Sequence, residues 1–350
     1  MITVDVPLLK RLAETPGAPG FEYKIRNVIE KEVRSYVDEL YTDNMGNLVT
    51  VRKTGKQDAK KIMLAAHMDE IGFIVKHIDD QGFVRFHPLG GFDPKTLTAQ
   101  RVVIHGTQDV VGVMGTKPIH VMKPEEKKKT VEIDDFFIDT GMPAEEVRKH
   151  VSVGDPITRE RELIEMGQCI NCKSLDNRVS VYVLIEVLKN LKEADIDVYG
   201  VFTVQEEVGL RGAMVSSHQL NPDFGLAIDT TIAFDLPGAQ PHEKITELGA
   251  GAAIKIMDSM TICDSRMVKF LKKIAADSGL KWQTELLTAG GTDTAGLQRT
   301  GKDGSIAGAV SIPTRHLHQV IEMCHRDDIA GAVELLIGAI GGMTSYDWQH

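Results

Sequence analysis

The sequence predicts an α/β fold interrupted by an inserted β unit. Short unbroken apolar runs, such as KIMLAA at 61–66, alternate with long helically periodic segments such as 175–191. That is the pattern of strands buried on both faces and covered by helices. From about 72 to 156 the texture changes to short β-type runs punctuated by glycine. The α/β rhythm stands on both sides of this stretch, so it reads as an insertion rather than a tandem neighbour. The expected division is a discontinuous domain of residues 1–71 and 157–350, with 72–156 inserted.

Each element has its own signal. Residues 6–14 have helical spacing and stop at Pro16-Gly17-Ala18-Pro19-Gly20, after which 21–37 is periodic again. Residues 40–43 and 47–53 flank the hairpin-like turn Asn44-Met45-Gly46. Inside the insertion, strands are expected at 72–78, 83–87, 101–104, 110–114 and 136–139. Beyond it come a helix at 175–191, a strand at 198–204, a short helix at 210–216 and strands at 224–228 and 252–256. A helix at 267–278, a strand at 306–312 and a final helix at 327–340 complete the chain, with no repeat of fixed period.

Composition narrows the function. The chain has 350 residues, 40 Lys+Arg against 50 Asp+Glu, a net charge of −10 and 42% hydrophobic residues. It can bury a large core, which excludes disordered and fibrous classes. A pI near 5.7 argues against nucleic acid or an anionic membrane as partner, and the basic run at 127–129, preceded by Glu125 and Glu126, reads as a solvated face. No apolar run approaches the roughly 18–20 residues of a membrane helix, and residues 1–12 alternate where a signal peptide would be continuously apolar. A cytoplasmic protein is expected. Cys169 and Cys172 form a CxxC, but Cys263 and Cys324 are isolated, so neither a disulfide framework nor a structural zinc site is expected.

In open α/β sheets the ligand site lies beyond the carboxyl ends of the strands. The strand at 61–66 ends in His67-Met68-Asp69, 198–204 in Gln205-Glu206-Glu207, and 224–228 in Asp229. The last strand leads to His316-Leu317-His318, and the long helix begins with Asp176-Asn177-Arg178. Singly, each is a common cap or turn residue. Together they deliver histidines and carboxylates to one sheet edge. Adjacent Glu206 and Glu207 must diverge or the chain must bend, and burying either is costly without a compensating cation. A donor set of His and Asp/Glu without thiolate suits Zn²⁺, Co²⁺ or Mn²⁺. Five candidate ligands exceed the need of one catalytic zinc and fit two ions with a bridging carboxylate, one further carboxylate remaining free as base.

Several motifs carry a resemblance. Ala66-His67-Met68-Asp69-Glu70-Ile71-Gly72, Leu175-Asp176-Asn177-Arg178, Val204-Gln205-Glu206-Glu207-Val208-Gly209 and Gly290-Gly291-Thr292-Asp293 resemble the M42 family of dinuclear metallo-aminopeptidases, the glutamyl aminopeptidase or TET group. Thr15-Pro16-Gly17-Ala18-Pro19-Gly20-Phe21-Glu22, Lys117-Pro118-Ile119-His120 and Pro313-Thr314-Arg315-His316-Leu317-His318 extend it nearly end to end. The resemblance implies an α/β fold with a mixed-sheet α/β/α dinuclear-metallopeptidase catalytic domain and an inserted small β-barrel-like domain for dimerisation and assembly. It implies His67 and Asp229 on one metal, Glu207 and His318 on the other, Asp176 bridging, and Glu206 as the base toward a bridging water. Asp69 takes an orienting role behind the ligands. The chain departs from the pattern where His316 stands in place of Tyr, Gln319 in place of Ser, and alanines in place of a Lys and a Pro within 248–253; motif register favours His318 as the ligand.

The implied reaction is removal of N-terminal residues from short peptides with a free amine, by a homo-oligomer, commonly a dodecamer. The Gly290-Gly291-Thr292-Asp293 turn lets backbone approach closely and is expected to line the substrate pocket. An N-acyl amino acid amidohydrolase is the main rival, needing a group for the substrate carboxylate. A glycosidase using Glu206 and Glu207 would leave His67, Asp176 and His318 without a task.

Overall fold

The computed structural model describes residues 2–349. Its centre is a mixed sheet, in which Lys61–His67 runs parallel to Asp197–Thr203 on one side and to Phe224–Ile232 on the other. Phe224–Ile232 in turn lies parallel to Ile306–Arg315 over nine residue pairs. These inner strands are almost wholly buried, as expected of parallel strands covered on both faces. Antiparallel strands extend the sheet: the hairpin Glu39–Thr42 with Leu48–Arg52 at one end, and Glu322–His325, Cys169–Cys172 and Ile164–Met166 at the other.

One side is covered by Val6–Glu14, Leu175–Asn190, Ser265–Asp277 and Arg326–Gly342, whose apolar residues share one core with the sheet. Leu175–Asn190 is apolar on nearly every face because helices and sheet surround it. The other side carries Arg211–Leu220 and Thr294–Arg299 over a smaller core. Among the described residues, the stretch Arg326–Ser345 is long and apolar enough, by length and composition alone, to cross a membrane. Glu334 interrupts its apolar run. In the fold it packs on Leu175–Asn190 and Ser265–Asp277.

Six strands close into a separate barrel in the order Gly72–Ile78, Val84–Leu89, Phe137–Asp139, Asp109–Gly115, Arg101–His105 and Pro156–Arg159. Its own core includes Phe73, which stacks on Phe92 with ring centroids 4.3 Å apart. The sequence reading had no strand at 156–159, yet this one closes the barrel by pairing with both Gly72–Ile78 and Arg101–His105. The expected separate β unit and the α/β rhythm around it are both present.

Candidate metal centre

Lys61–His67 delivers His67 at its last residue, and the chain then turns through Met68-Asp69, with Met68 N–H donating to Thr203 O at 2.8 Å. The imidazole is held by a contact of 3.2 Å between Nδ1 and Asp69 O, leaving Nε2 toward the cavity. That nitrogen lies 3.3 Å from Asp176 Oδ1, 3.7 Å from Asp229 Oδ1 and 3.8 Å from Glu206 Oε2. On the opposite flank His318 Nε2 lies 3.3 Å from Asp176 Oδ2 and 3.6 Å from Glu207 Oε2. Asp176 therefore faces one histidine with each oxygen. His67, Asp176 and Asp229 form one cluster and Asp176, Glu207 and His318 another, the donor atoms of each lying within 4.8 Å of one another.

The adjacent glutamates bend rather than diverge. Gln205 adopts a left-handed φ of 55°, which turns the chain out of the strand and brings both carboxylates to the cluster with His67. Asp69 fixes that turn: its Oδ1 accepts Glu206 N–H and its Oδ2 accepts Glu207 N–H, both at 3.1 Å. Asp229 is not at a strand end. Phe224–Ile232 runs on past it because Asp229-Thr230-Thr231, though polar, are buried and paired with Ser311-Ile312-Pro313. Asp176 and Asn177 depart from helical φ/ψ at the start of the long helix, and Asn177 donates to Ile228 O at 2.9 Å.

Of the two neighbouring histidines, His318 joins the cluster and His316 does not. Gly290, Gly291 and Thr292 line the cavity beside the site. Asp293 does not; it is buried and accepts from Thr203 Oγ1 at 2.5 Å.

Two residues that sequence reasoning missed hold the second flank. Glu322, fully buried, accepts Asp176 N–H through Oε2 and His318 N–H through Oε1, both at 3.0 Å. Arg159, from the barrel, donates to His318 O at 3.2 Å, and Gly91 O lies 3.0 Å from His318 Nδ1. The barrel thus takes part in orienting a site residue. A third feature lies behind the site, where Lys173 Nζ bonds both oxygens of Glu70 at 2.8 and 2.7 Å with Arg178 Nη2 3.7 Å away. A carboxylate next to the apolar pair Met323-Cys324 was the available signal for Glu322; nothing local marks the Glu70 pairing.

The electrostatics follow from crowding. Burial pushes Glu206 well above its ordinary value, and Asp229, Glu207 and Asp293 add to this against the pull of His67. Burial likewise pushes Glu207 up to about 8. For His67, burial alone would lower the imidazole, but Glu206, Asp176, Asp229 and Asp69 hold it well above its ordinary value. His318 is held up at about 10 against its burial by Asp176 and Glu207. Asp176 is driven low despite burial by the same two histidines. Four carboxylates converge on two imidazoles, three of the four pushed toward the protonated form by burial, and Glu207 Oε1 is buried with no hydrogen-bond partner. Both features fit divalent cations in this donor set.

The cluster opens into a cavity of about 620 Å³. Residues 46–335 match the family described as M42 glutamyl aminopeptidase. The chain is 39% identical over 334 residues to a putative aminopeptidase of Acetivibrio thermocellus, covering 95% of this chain and 97% of that one. It is 30% identical over 343 residues to the lysyl aminopeptidase of Pyrococcus furiosus, covering 95% of each. Among solved structures, an aminopeptidase of the archaeon Desulfurococcus kamchatkensis superposes with a TM-score of 0.91 at 39% identity, over 96% of this chain and 94% of that one. The TET peptidase of Pyrococcus horikoshii, described as assembling into a tetrahedron or a large octahedral shell, gives 0.86 at 31%, over 96% and 98%. The chain is a hydrolase acting on peptide bonds and belongs to the M42 glutamyl aminopeptidase family.

Proposed function

We propose that the chain is an aminopeptidase that uses two divalent ions to remove N-terminal residues from short peptides. The carrying observation is that two donor clusters share Asp176, one oxygen toward His67 and the other toward His318. In this reading His67 and Asp229 hold one ion, Glu207 and His318 the other, and Asp176 both; the nitrogen and oxygen donors suit Zn²⁺ or Co²⁺, and Mn²⁺ as well. Bound there, the ions would polarise the substrate carbonyl and lower the pKa of a water. Glu206 acts as general base, taking the proton of the attacking water and passing it to the leaving amine. Asp69 keeps it aimed by holding its backbone.

Beyond the six site residues, the one other charged side chain among the described residues lining the cavity is Lys255, already paired with Asp258 at 3.1 Å and Glu285 at 2.9 Å. An N-acyl amino acid would find no free cation there, which argues against the deacylase reading. We propose further that residues 72–156 serve as the assembly domain of a homo-oligomer. In support, Asp109–Gly115 turns Val110 and Met114 inward yet leaves Val111 and Val113 exposed, and Ile119 and Val121 nearby are exposed as well. Four unpaired cysteines accord with a reducing, cytoplasmic setting.

The test is hydrolysis of free-amine and N-acetylated peptides after metal stripping and after adding back Zn²⁺ or Co²⁺. Restored activity on free-amine peptides alone supports the reading; activity that survives stripping, or prefers the blocked peptides, overturns it.

A further inference from the structure

We propose that the cavity selects peptides whose N-terminal residue is aliphatic, leucine or methionine, over those beginning with an acidic or a basic residue. This rests on the aminopeptidase reading, and family membership alone leaves the preferred residue open. The argument is the chemistry of the wall. Leu210, Met214, Ile232, Met260, Leu287 and Leu317 line the cavity alongside the metal-centre residues. Apolar lining with a few convergent polar groups at one end is the form of a site that fixes an amine and carbonyl and buries an apolar side chain.

The wall offers no counter-charge. Lys255 is 1% exposed, and its ammonium is shared between Asp258 and Glu285. Asp258 is in turn satisfied: Met260 N–H donates to its Oδ1 at 2.9 Å, and Thr292 Oγ1 lies 3.2 Å from its Oδ2. Neither carboxylate lines the cavity. A glutamyl side chain would have to draw Lys255 away from two partners, and a lysyl side chain would lose its water against thioether and isobutyl groups. Met260 closes this wall over Gly291, where a Cβ would lie 2.5 Å from Met260 Cγ, so the glycine is what admits the methionine.

The experiment compares kcat/KM of the metal-loaded full chain for leucyl-, methionyl-, glutamyl- and lysyl-p-nitroanilide. Calorimetric binding of leucinamide and glutamic acid α-amide to Glu206→Gln provides a readout without turnover. Leucyl and methionyl substrates are expected to lead by about tenfold or more, the scale of discrimination an apolar pocket achieves. Met260→Lys, at a position 46% exposed, is expected to lower the leucyl-to-glutamyl ratio by about tenfold. Hydrolysis that prefers glutamyl or lysyl substrate, or a ratio unmoved in Met260→Lys, overturns this proposal while the aminopeptidase reading stands. No hydrolysis of any free-amine substrate overturns both.

Discussion

Asp69 and Glu206 are joined by a hydrogen bond of 3.1 Å from the glutamate's backbone N–H to the aspartate's Oδ1, while the other oxygen of Asp69 holds Glu207 in the same way. One buried carboxylate thereby fixes both adjacent glutamates, and its own backbone carbonyl holds His67. Asp69→Ala is expected to lower kcat or metal affinity by about 10–100-fold, the usual cost of losing support behind ligands. Kinetics together with metal titration check this; activity and affinity within about twofold of wild type would show the turn holding itself.

Glu322 supports the opposite flank, through the backbone of Asp176 and of His318. Glu322→Ala removes both acceptors, so the expected loss is larger on the Glu207 and His318 side, which loses support at His318 and at the shared Asp176, than on the His67 side, which loses only the latter. Calorimetric titration with Zn²⁺ should show one of two sites weakened by about 10–100-fold and the other by less. Equal weakening of both sites would refute the asymmetry.

Behind the site, Glu70 pairs with Lys173 at 2.7 Å and lies 3.7 Å from Arg178, all three nearly or fully buried. Glu70→Ala leaves two buried cations facing each other. The expected cost is about 3–5 kcal/mol, readable as a lowered midpoint in urea unfolding, and Glu70→Gln should recover only part of it.

Much of this was legible in the sequence, and the remainder was hidden for physical reasons. Lys61–His67 and Leu175–Asn190 announced themselves because burial on all sides leaves an unbroken or helically spaced apolar record. The strand-end rule found His67, Glu206 and Glu207. Ile164–Met166 was invisible because it is exposed on both faces, and Trp282–Leu286 because its burial has no alternation. The burial of Glu322 is explained by two N–H groups converging on it, one from His318 four residues earlier and one from the distant Asp176. The Glu70, Lys173 and Arg178 cluster joins residues about a hundred positions apart, which no local pattern encodes.

Glu22 gives a dependence on pH. Burial, aided by Asp69, pushes its carboxyl up from 4.5 to about 7, although it accepts backbone N–H groups from Gly20 and Gln205. A carboxyl raised in the folded state contributes stability fully present below pH 4.5 and lost as pH rises through about 7. Glu22→Gln keeps an acceptor and removes the titration. Its Tm relative to wild type should therefore rise from pH 5 to pH 8, by an amount on the order of 2 kcal/mol in stability. A difference that does not change with pH would contradict this.

The central claim is that Glu206 moves the proton at a centre of two metals. The most direct measurement is kcat of Glu206→Gln on a free-amine substrate, with metal content determined on the same sample. The account predicts two ions per chain retained and kcat lowered by about 10²–10⁴-fold, the range general acid–base catalysis supplies. Wild-type turnover in Glu206→Gln with both metals bound would contradict it.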